Sequence, residues 1–379
     1  MIKEEKILLK YLNQIEDIDK QIETEAKKYL DKLAKPIESL GLLEDIFIKL
    51  SSINNKVYNN KLSKKLLLIF ASDNGIYEEK VSSAPQRVSF LQSINISKGK
   101  SAAGALAKSL NANIRVVDLG LKSSNDDLKE EEKANIIINK KICKSTKNIV
   151  LEDAFSYRDA LKAILCGIEE MKIAKENDVD IVALGEMGIA NTSTSTAILS
   201  ILTNSKVDDI CGRGGGLNDE YFENKKKAIK KAINRYKKRE KDKNKIAVID
   251  LLSSLGGLDI CGMCGAILGA GIFRIPVIID GYISIVSALS ASKIYDNIKK
   301  YIFLSHSSYE KGYKIAKKAL GLQSFLDLNM RLGEGSGALL MFNIFDNILS
   351  IVNNMYTFEK AKINDDYLSE IRKVRKYIK

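Results

Sequence analysis

Six short, uninterrupted apolar runs constrain this chain more than any other feature: KLLLIFAS (65–72), NIRVVDLG (113–120), VDIVALGE (179–186), KIAVIDLL (245–252), IPVIIDG (275–281) and KYIFLSH (300–306). Each is too short for a typical helix and lacks the alternation of a strand with one wet face. They read as strands buried on both faces of a parallel sheet. Helically spaced stretches separate them, which predicts an α/β fold: a parallel six-stranded, Rossmann-like sheet flanked by helices. Most runs end directly in Gly, Asp, Ser or Asn, and SDNGIYEEKVSSAPQ, GEMGIANTSTSTA, LGGLD, DGYIS and SHSS follow five of them. Open parallel sheets bind ligands beyond the carboxyl ends of their strands, so these loops mark the edge that carries the chemistry.

The two chain ends have a different period. Residues 4–35 place Leu8, Leu9, Leu12, Ile15, Ile18 and Ile22 at spacings of three and four among charges. The pattern stops at Lys35-Pro36 and resumes in SLGLLEDIFIKLSSI; beyond 343 it returns in FDNILSIVNNM and KINDDYLSEIRKVRKYIK. The expected division is a small helical domain from 1–60 and 343–379, and a large α/β catalytic domain over 61–342.

Composition removes several function classes. There is no run of eighteen apolar residues and no signal-like segment at the N-terminus, so a soluble, cytoplasmic protein is expected, with no membrane partner. Cys261 and Cys264 form the one close pair among five cysteines, but they lie in an Ala/Gly-rich apolar run and the sole histidine is His306. Packing thiols in a reduced protein, with no metal site and no cofactor, are the expectation. The net charge of +12 is concentrated in 225–245, where twelve Lys or Arg face only Glu240 and Asp242. That segment has one aromatic, Tyr236, and the chain has no Trp, so there is no stacking platform for nucleic acid. A solvated helix is expected there instead.

The residues that can do chemistry cluster around glycines. In NMRLGEGSGALL (329–340) glycines flank Glu334 on both sides, and Ser336-Gly337 lead into a helix whose free N–H groups could hold an anion. GEMGIANTSTSTAIL (185–199) and CGRGGGLND (211–219) are further glycine loops, the second with Arg213 and, downstream, Lys225. Neither fits the dinucleotide or P-loop spacing, and together they point to a phosphorylated small molecule. The loops hold carboxylates (Asp73, Glu186, Asp259, Asp280, Glu334) and no nucleophilic triad. Such a set suits group transfer at a sugar carbon, where a base need remove only one proton. His306 either orients a ligand or is structural.

The ordered stretches LAKPIESLGLLE (33–44), SDNGIYEEKVSSAPQ (72–86), VVDLG (116–120), GEMGIANTSTSTA (185–197), GRGGGLNDE (212–220), LGGLDICGMCGAILGA (255–270), PVIIDGYIS (276–284), HSSYEKGY (306–313) and LGLQSFLDLNMRLGEGSGA (320–338) carry a resemblance over nearly the whole length. The chain resembles the nicotinate-nucleotide–dimethylbenzimidazole phosphoribosyltransferase family, which makes the lower-ligand nucleotide of cobalamin. The resemblance implies a homodimer that moves the phosphoribosyl group of nicotinate mononucleotide to dimethylbenzimidazole or a similar base, with Glu334 as general base. It implies that Glu186, Gly188, Asn191, Thr192, Lys225, Asp280, Ser308, Leu332 and Gly333 bind the nucleotide, and that Ser82, Gln86, Met187 and Leu332 line the flat base. The chain departs from the family pattern at Asn74 (usually His), at Gly215-Gly216-Leu217 (usually GTGL) and at Asp259 (usually Glu), and has Ala84 where an aromatic is frequent. A non-catalytic nucleotide-binding module, or one subunit of a heteromeric transferase, is the alternative.

Overall fold

The computed structural model describes residues 1–123, 137–239, 244–369 and 371. They divide into two compact units. The larger comprises Met1–Glu16 and Ser63–Met341. Its sheet has seven strands, β1 (Lys65–Ser72), β2 (Ala112–Gly120), β3 (Ile138–Asn139), β4 (Ile181–Met187), β5 (Val277–Ile279), β6 (Ile302–His306) and β7 (Ser324–Leu326), in the order β3-β2-β1-β4-β5-β6-β7. Every pairing is parallel. β1 is buried along its whole length because β2 and β4 flank it. The chain steps outward from β1 on one side and returns to its other side at β4. The topological switch point therefore lies between β1 and β4, where the loops after these strands diverge and leave a crevice.

The class is the expected one, and the strand inventory differs in three places. The run 245–252 falls in a helix, Ala247–Leu255, buried at every position from Val248 to Leu255. A helix enclosed on all sides is as uniformly apolar as a central strand, so hydropathy alone does not separate the two. LGGLD thus follows a helix, and it opens the next one, Leu258–Phe273. The added strands β3 and β7 are two and three residues long, too short for a pattern. Cys261 and Cys264 lie fully buried in the helix Leu258–Phe273, where burial pushes both thiols up and keeps them protonated.

The smaller unit comprises Asp17–Leu62 and Phe342–Lys379. Asp19 caps helix Lys20–Lys32 by accepting from Gln21 N–H, and helix Leu42–Asn54 follows. Tyr29 donates to the Val352 carbonyl, and a single antiparallel bridge joins Leu33 to Thr357. A buried Lys35–Glu44 pair at 2.7 Å fixes the intervening turn. The expected boundary at residue 60 groups the first helix with this unit; the structure assigns Lys3–Leu12 to the larger one, where Tyr157 donates to Glu5 at 2.8 Å. An amphipathic pattern shows that a helix has a partner and says nothing of which partner.

Among the described residues one helix, Ser336–Asn354, is long and apolar enough to cross a membrane, with a mean hydropathy of 1.2. More than half of it is buried within the protein, as in a core helix. The expected C-terminal helix lies outside the described residues at 370 and 372–379, as do 240–243 of the basic segment.

Candidate active site

A cavity of about 330 Å³ opens in the larger unit. Its walls come from the loops after β1 (Val81 to Ala84), β4 (Met187 to Thr192), β5 (Asp280 to Ser284) and β6 (His306, Ser308), and from 331–334. It therefore occupies the carboxyl edge of the sheet around the switch point.

Glu334 sits at the centre of a turn in which three consecutive residues, Gly333, Glu334 and Gly335, have φ of 87°, 61° and 76°. Glycine holds this conformation without penalty, whereas a glutamate there is strained by about 1–3 kcal/mol and persists only where its surroundings over-determine it. They do. Asp280, just past β5, accepts from the N–H groups of Gly337 (2.7 Å) and Ala338 (3.1 Å) with one oxygen and from Gly335 (3.2 Å) with the other. The N-terminus of helix Ser336–Asn354, expected as an anion cradle, is thus already capped from within. Asp280 lines the cavity, and both of its oxygens also hold the turn. His306 is buried against Tyr313 with its Nδ1 3.1 Å from Ser305 Oγ, and burial keeps it below the usual imidazole range. The ring also forms part of the cavity wall.

The Glu334 carboxyl is buried, and its two oxygens differ. Oε1 accepts from the Gln92 side-chain amide at 2.7 Å. Oε2 has no hydrogen-bond partner among the described residues. A buried acceptor with no donor is an unmet demand for one, and Glu334 lines the cavity together with its neighbours Leu332 and Gly333.

Beside this turn, where a β-carbon on Gly333 would lie 2.6 Å from Glu186 Oε1, Asn191 donates through one nitrogen to Glu186 and, at 2.9 Å, to Asp259. Burial, reinforced by the charges of Asp259, Asp280 and Glu334, pushes Glu186 up to about 8; burial pushes Asp259 up to about 7. Asp280 is also pushed up to about 7 by burial, against the pull of its backbone donors. These carboxyls bind more protons folded than unfolded between about pH 4, their unfolded value, and about pH 8. The stability they contribute is full below that window and is lost as pH rises through the folded values. The melting temperature is expected to fall from pH 5 to pH 8.5, and calorimetric scans across that range check the sign.

Beside them Lys225, 1 % exposed, donates to Thr192 Oγ1 at 2.8 Å and to the Gly212 carbonyl at 3.0 Å, and burial depresses its pKa. Arg213, Gly214, Gly215 and Ser308 complete this end of the cavity. The rest of the basic segment is largely committed elsewhere: Lys230 pairs with Asp208, and Arg235 and Arg239 with Asp153.

Of the expected residues, Glu334, Glu186, Gly188, Asn191, Thr192, Lys225, Asp280, Ser308, Leu332, Gly333, Ser82 and Met187 line one cavity. Gln86 does not; its Oε1 sits 3.5 Å from Lys122 Nζ, outside the wall. The glutamine that reaches the site is Gln92, in helix Val88–Ser97, which sequence reasoning missed. Its spacing of four from Val88, another lining residue, was the available signal.

A family model described as phosphoribosyltransferase matches residues 15–363. The chain is 43% identical over 372 residues, 98% of its length and 99% of the relative's, to a protein of Clostridium perfringens (strain 13 / Type A) named nicotinate-nucleotide–dimethylbenzimidazole phosphoribosyltransferase. It is 42% identical over 97% of its length, and 98% of the relative's, to a Clostridium tetani protein of the same name. A crystal structure of nicotinate-nucleotide–dimethylbenzimidazole phosphoribosyltransferase from Thermus thermophilus superposes with a TM-score of 0.82 at 26% identity, covering 92% of this chain and 99% of that one.

Proposed function

The chain belongs to the nicotinate-nucleotide–dimethylbenzimidazole phosphoribosyltransferase family, and from that premise we propose how its cavity performs the transfer. It moves the phosphoribosyl group of nicotinate mononucleotide to dimethylbenzimidazole or a similar base. Glu334 is the general base, and the observation that carries this role is a carboxyl held in the cavity lining by a strained turn, with Oε2 left unpartnered. Oε2 takes the N–H proton of the base while the other ring nitrogen attacks C1′. The bond from C1′ to the pyridine nitrogen breaks, and nicotinate leaves with that electron pair, which neutralises its ring. Attack opposite the departing nicotinate inverts the anomeric carbon. Positive charge develops at the ribosyl carbon during the exchange, and any lining carboxyl that is ionised favours it.

Lys225, Thr192 and the loop around Gly214 suit the phosphate, since a buried ammonium beside a hydroxyl and flexible backbone supplies donors to an anion. Ser82, Ala84, Val88, Met187 and Leu332 offer a largely apolar wall for a flat ring. We read the protein as a homodimer, as the resemblance implies, and as cytoplasmic, where its five free thiols remain reduced. Purified protein is incubated alone with nicotinate mononucleotide and a panel of benzimidazoles, and released nicotinate is followed by chromatography. Base-dependent release is expected, and no release with any base would overturn the transferase reading.

Gln92 holds Glu334 Oε1, so Gln92→Leu leaves the carboxylate free to turn away from the cavity. A misplaced catalytic group costs up to about 10²-fold. A ten- to hundred-fold lower kcat is expected, with the KM for nicotinate mononucleotide little changed; steady-state kinetics on both substrates checks it.

A further inference from the structure

Behind the nucleotide wall two buried oxygens, neither with a donor, lie against the same glycine, Gly257. Asn74 and Asp259 are both fully buried, and Asn74 Oδ1 and Asp259 Oδ1 have no hydrogen-bond partner among the described residues. Both lie over the α-carbon of Gly257. A β-carbon built there would be 2.7 Å from Asn74 Oδ1 and closer still to Asp259 Oδ1, so only glycine lets the two oxygens approach from that side. The orientation of Asn74 is fixed by its other end: Nδ2 donates to the carbonyls of Ser72 (3.3 Å) and Ile189 (3.4 Å), which accept only. Turning the amide over would set oxygen against two carbonyls. Asp259 Oδ2 is likewise committed, to Asn191 at 2.9 Å.

Two acceptors held together in a dry interior repel, and each unmet acceptor costs about 1–3 kcal/mol. A proton on Asp259 removes both costs at once, because it turns one acceptor into a donor aimed at the other. We propose that Asp259 carries its proton on Oδ1 and donates it to Asn74 Oδ1, and that this neutral pair positions Asn191, and through it Glu186, for the nucleotide.

The groups around Asp259 agree. Burial raises Asp259 to about 7 and the Asp73 carboxylate adds to it, against hydrogen bonds from Asn191 and from the N–H groups of Ile260 and Asp259 itself. Glu186 shares its Asn191 donor, and the charges of Asp280 and Glu334 act on Glu186 in turn. His306, in β6, is held neutral by burial. When Asp259 ionises, its charge competes with Glu186 for the single Asn191 amide and sets an anion against Asn74 Oδ1. The wall that receives the nucleotide then loses its shape. Asp259 and Asn74 are positioning residues; neither reaches the reacting carbon.

The inference rests on the nucleotide site described above. The test is the affinity for nicotinate mononucleotide, measured by titration calorimetry from pH 5.5 to pH 9 on the intact protein. In the wild type, affinity falls by up to about tenfold per pH unit above a lower limb near 7, the limit for one linked proton. Glu186 sets a second limb near 8. In Asp259→Asn an amide N–H replaces the acid O–H permanently, so the lower limb disappears and the upper one stays. In Asn74→Asp a second carboxyl faces the first and the pair shares one proton, which moves the lower limb to higher pH. The nucleotide's own phosphate titrates identically with every variant, so comparison between variants cancels it. A lower limb that persists in Asp259→Asn, or does not move in Asn74→Asp, overturns the pair. So does a limb abolished by potassium chloride but not by tetramethylammonium chloride, which places a cation, not a proton, between the oxygens. If Asp259→Asn does not fold, the Asn74→Asp titration decides alone. Wild-type protein that binds no nucleotide at any pH instead sinks the reading of the site, a distinct result.

Discussion

Glu334→Gln is expected to lower kcat for base-dependent nicotinate release by about 10²–10⁴, the range for loss of a positioned general base. The substitution is close to isosteric. The remaining carbonyl oxygen still accepts from Gln92, and the Gly333–Gly335 turn keeps its φ values because no glycine is changed. What changes is the second atom: Oε2, an acceptor without a donor, becomes an NH₂ that cannot take a proton. The loss therefore falls on kcat, while the KM for nicotinate mononucleotide, whose phosphate-binding groups lie at Lys225 and Thr192, shifts little. Bases already deprotonated at the assay pH should lose less than neutral benzimidazoles, since they bring no proton to be removed. Turnover within tenfold of wild type, on the neutral base, would falsify the assignment.

Asp280→Ala is expected to cost about 2–5 kcal/mol of stability and most of the activity. Three backbone N–H groups lose their acceptor in a place water does not reach. One lost helix cap costs up to about 2 kcal/mol, and buried donors left unmet add about 1–3 kcal/mol each where the chain does not relax. Relaxation is available, because the same bonds hold the Glu334 turn in its left-handed conformation. The chain recovers part of the stability by letting the turn unwind, and activity is lost with it. Asp280→Asn separates the two effects: one oxygen still caps the helix, while its NH₂ opposes the Gly335 N–H and disturbs the turn. Urea unfolding midpoints and kcat are the measurements; an unchanged midpoint together with unchanged kcat in Asp280→Ala would show that the cap is dispensable.

The fold was legible where the sequence has only one physical solution. β1 was readable because a strand covered on both faces must be apolar nearly throughout. The helix Ala247–Leu255 was misread for the same reason, since its enclosure by neighbours is a tertiary fact. Glu334 was legible because flanking glycines advertise a backbone that side chains disfavour. The role of Asp280 was not: its partners lie 55 to 58 residues away, and a carboxylate that caps a helix looks in sequence like one that greets a ligand. Gln86 and Gln92 show the limit at finer scale. Both follow the same loop, and only the direction of one helix decides which glutamine reaches the carboxylate. Asn74 and Asp259, each a departure from the family pattern, meet in space although nothing in their spacing joins them.

The buried lysine has a last consequence. Lys225 is 1 % exposed, its ammonium contacts a hydroxyl and a carbonyl, and burial works against its charge. In the free protein the charge of Glu310 acts in its favour, and on the proposed reading the substrate's phosphate brings a further counter-charge. On the proposed reading the nucleotide's phosphate is a folding ligand as much as a reactant. At a hundred times its dissociation constant it would add about 2.7 kcal/mol by mass action alone. Resistance to heat and to proteases would then rise and fall with nucleotide concentration.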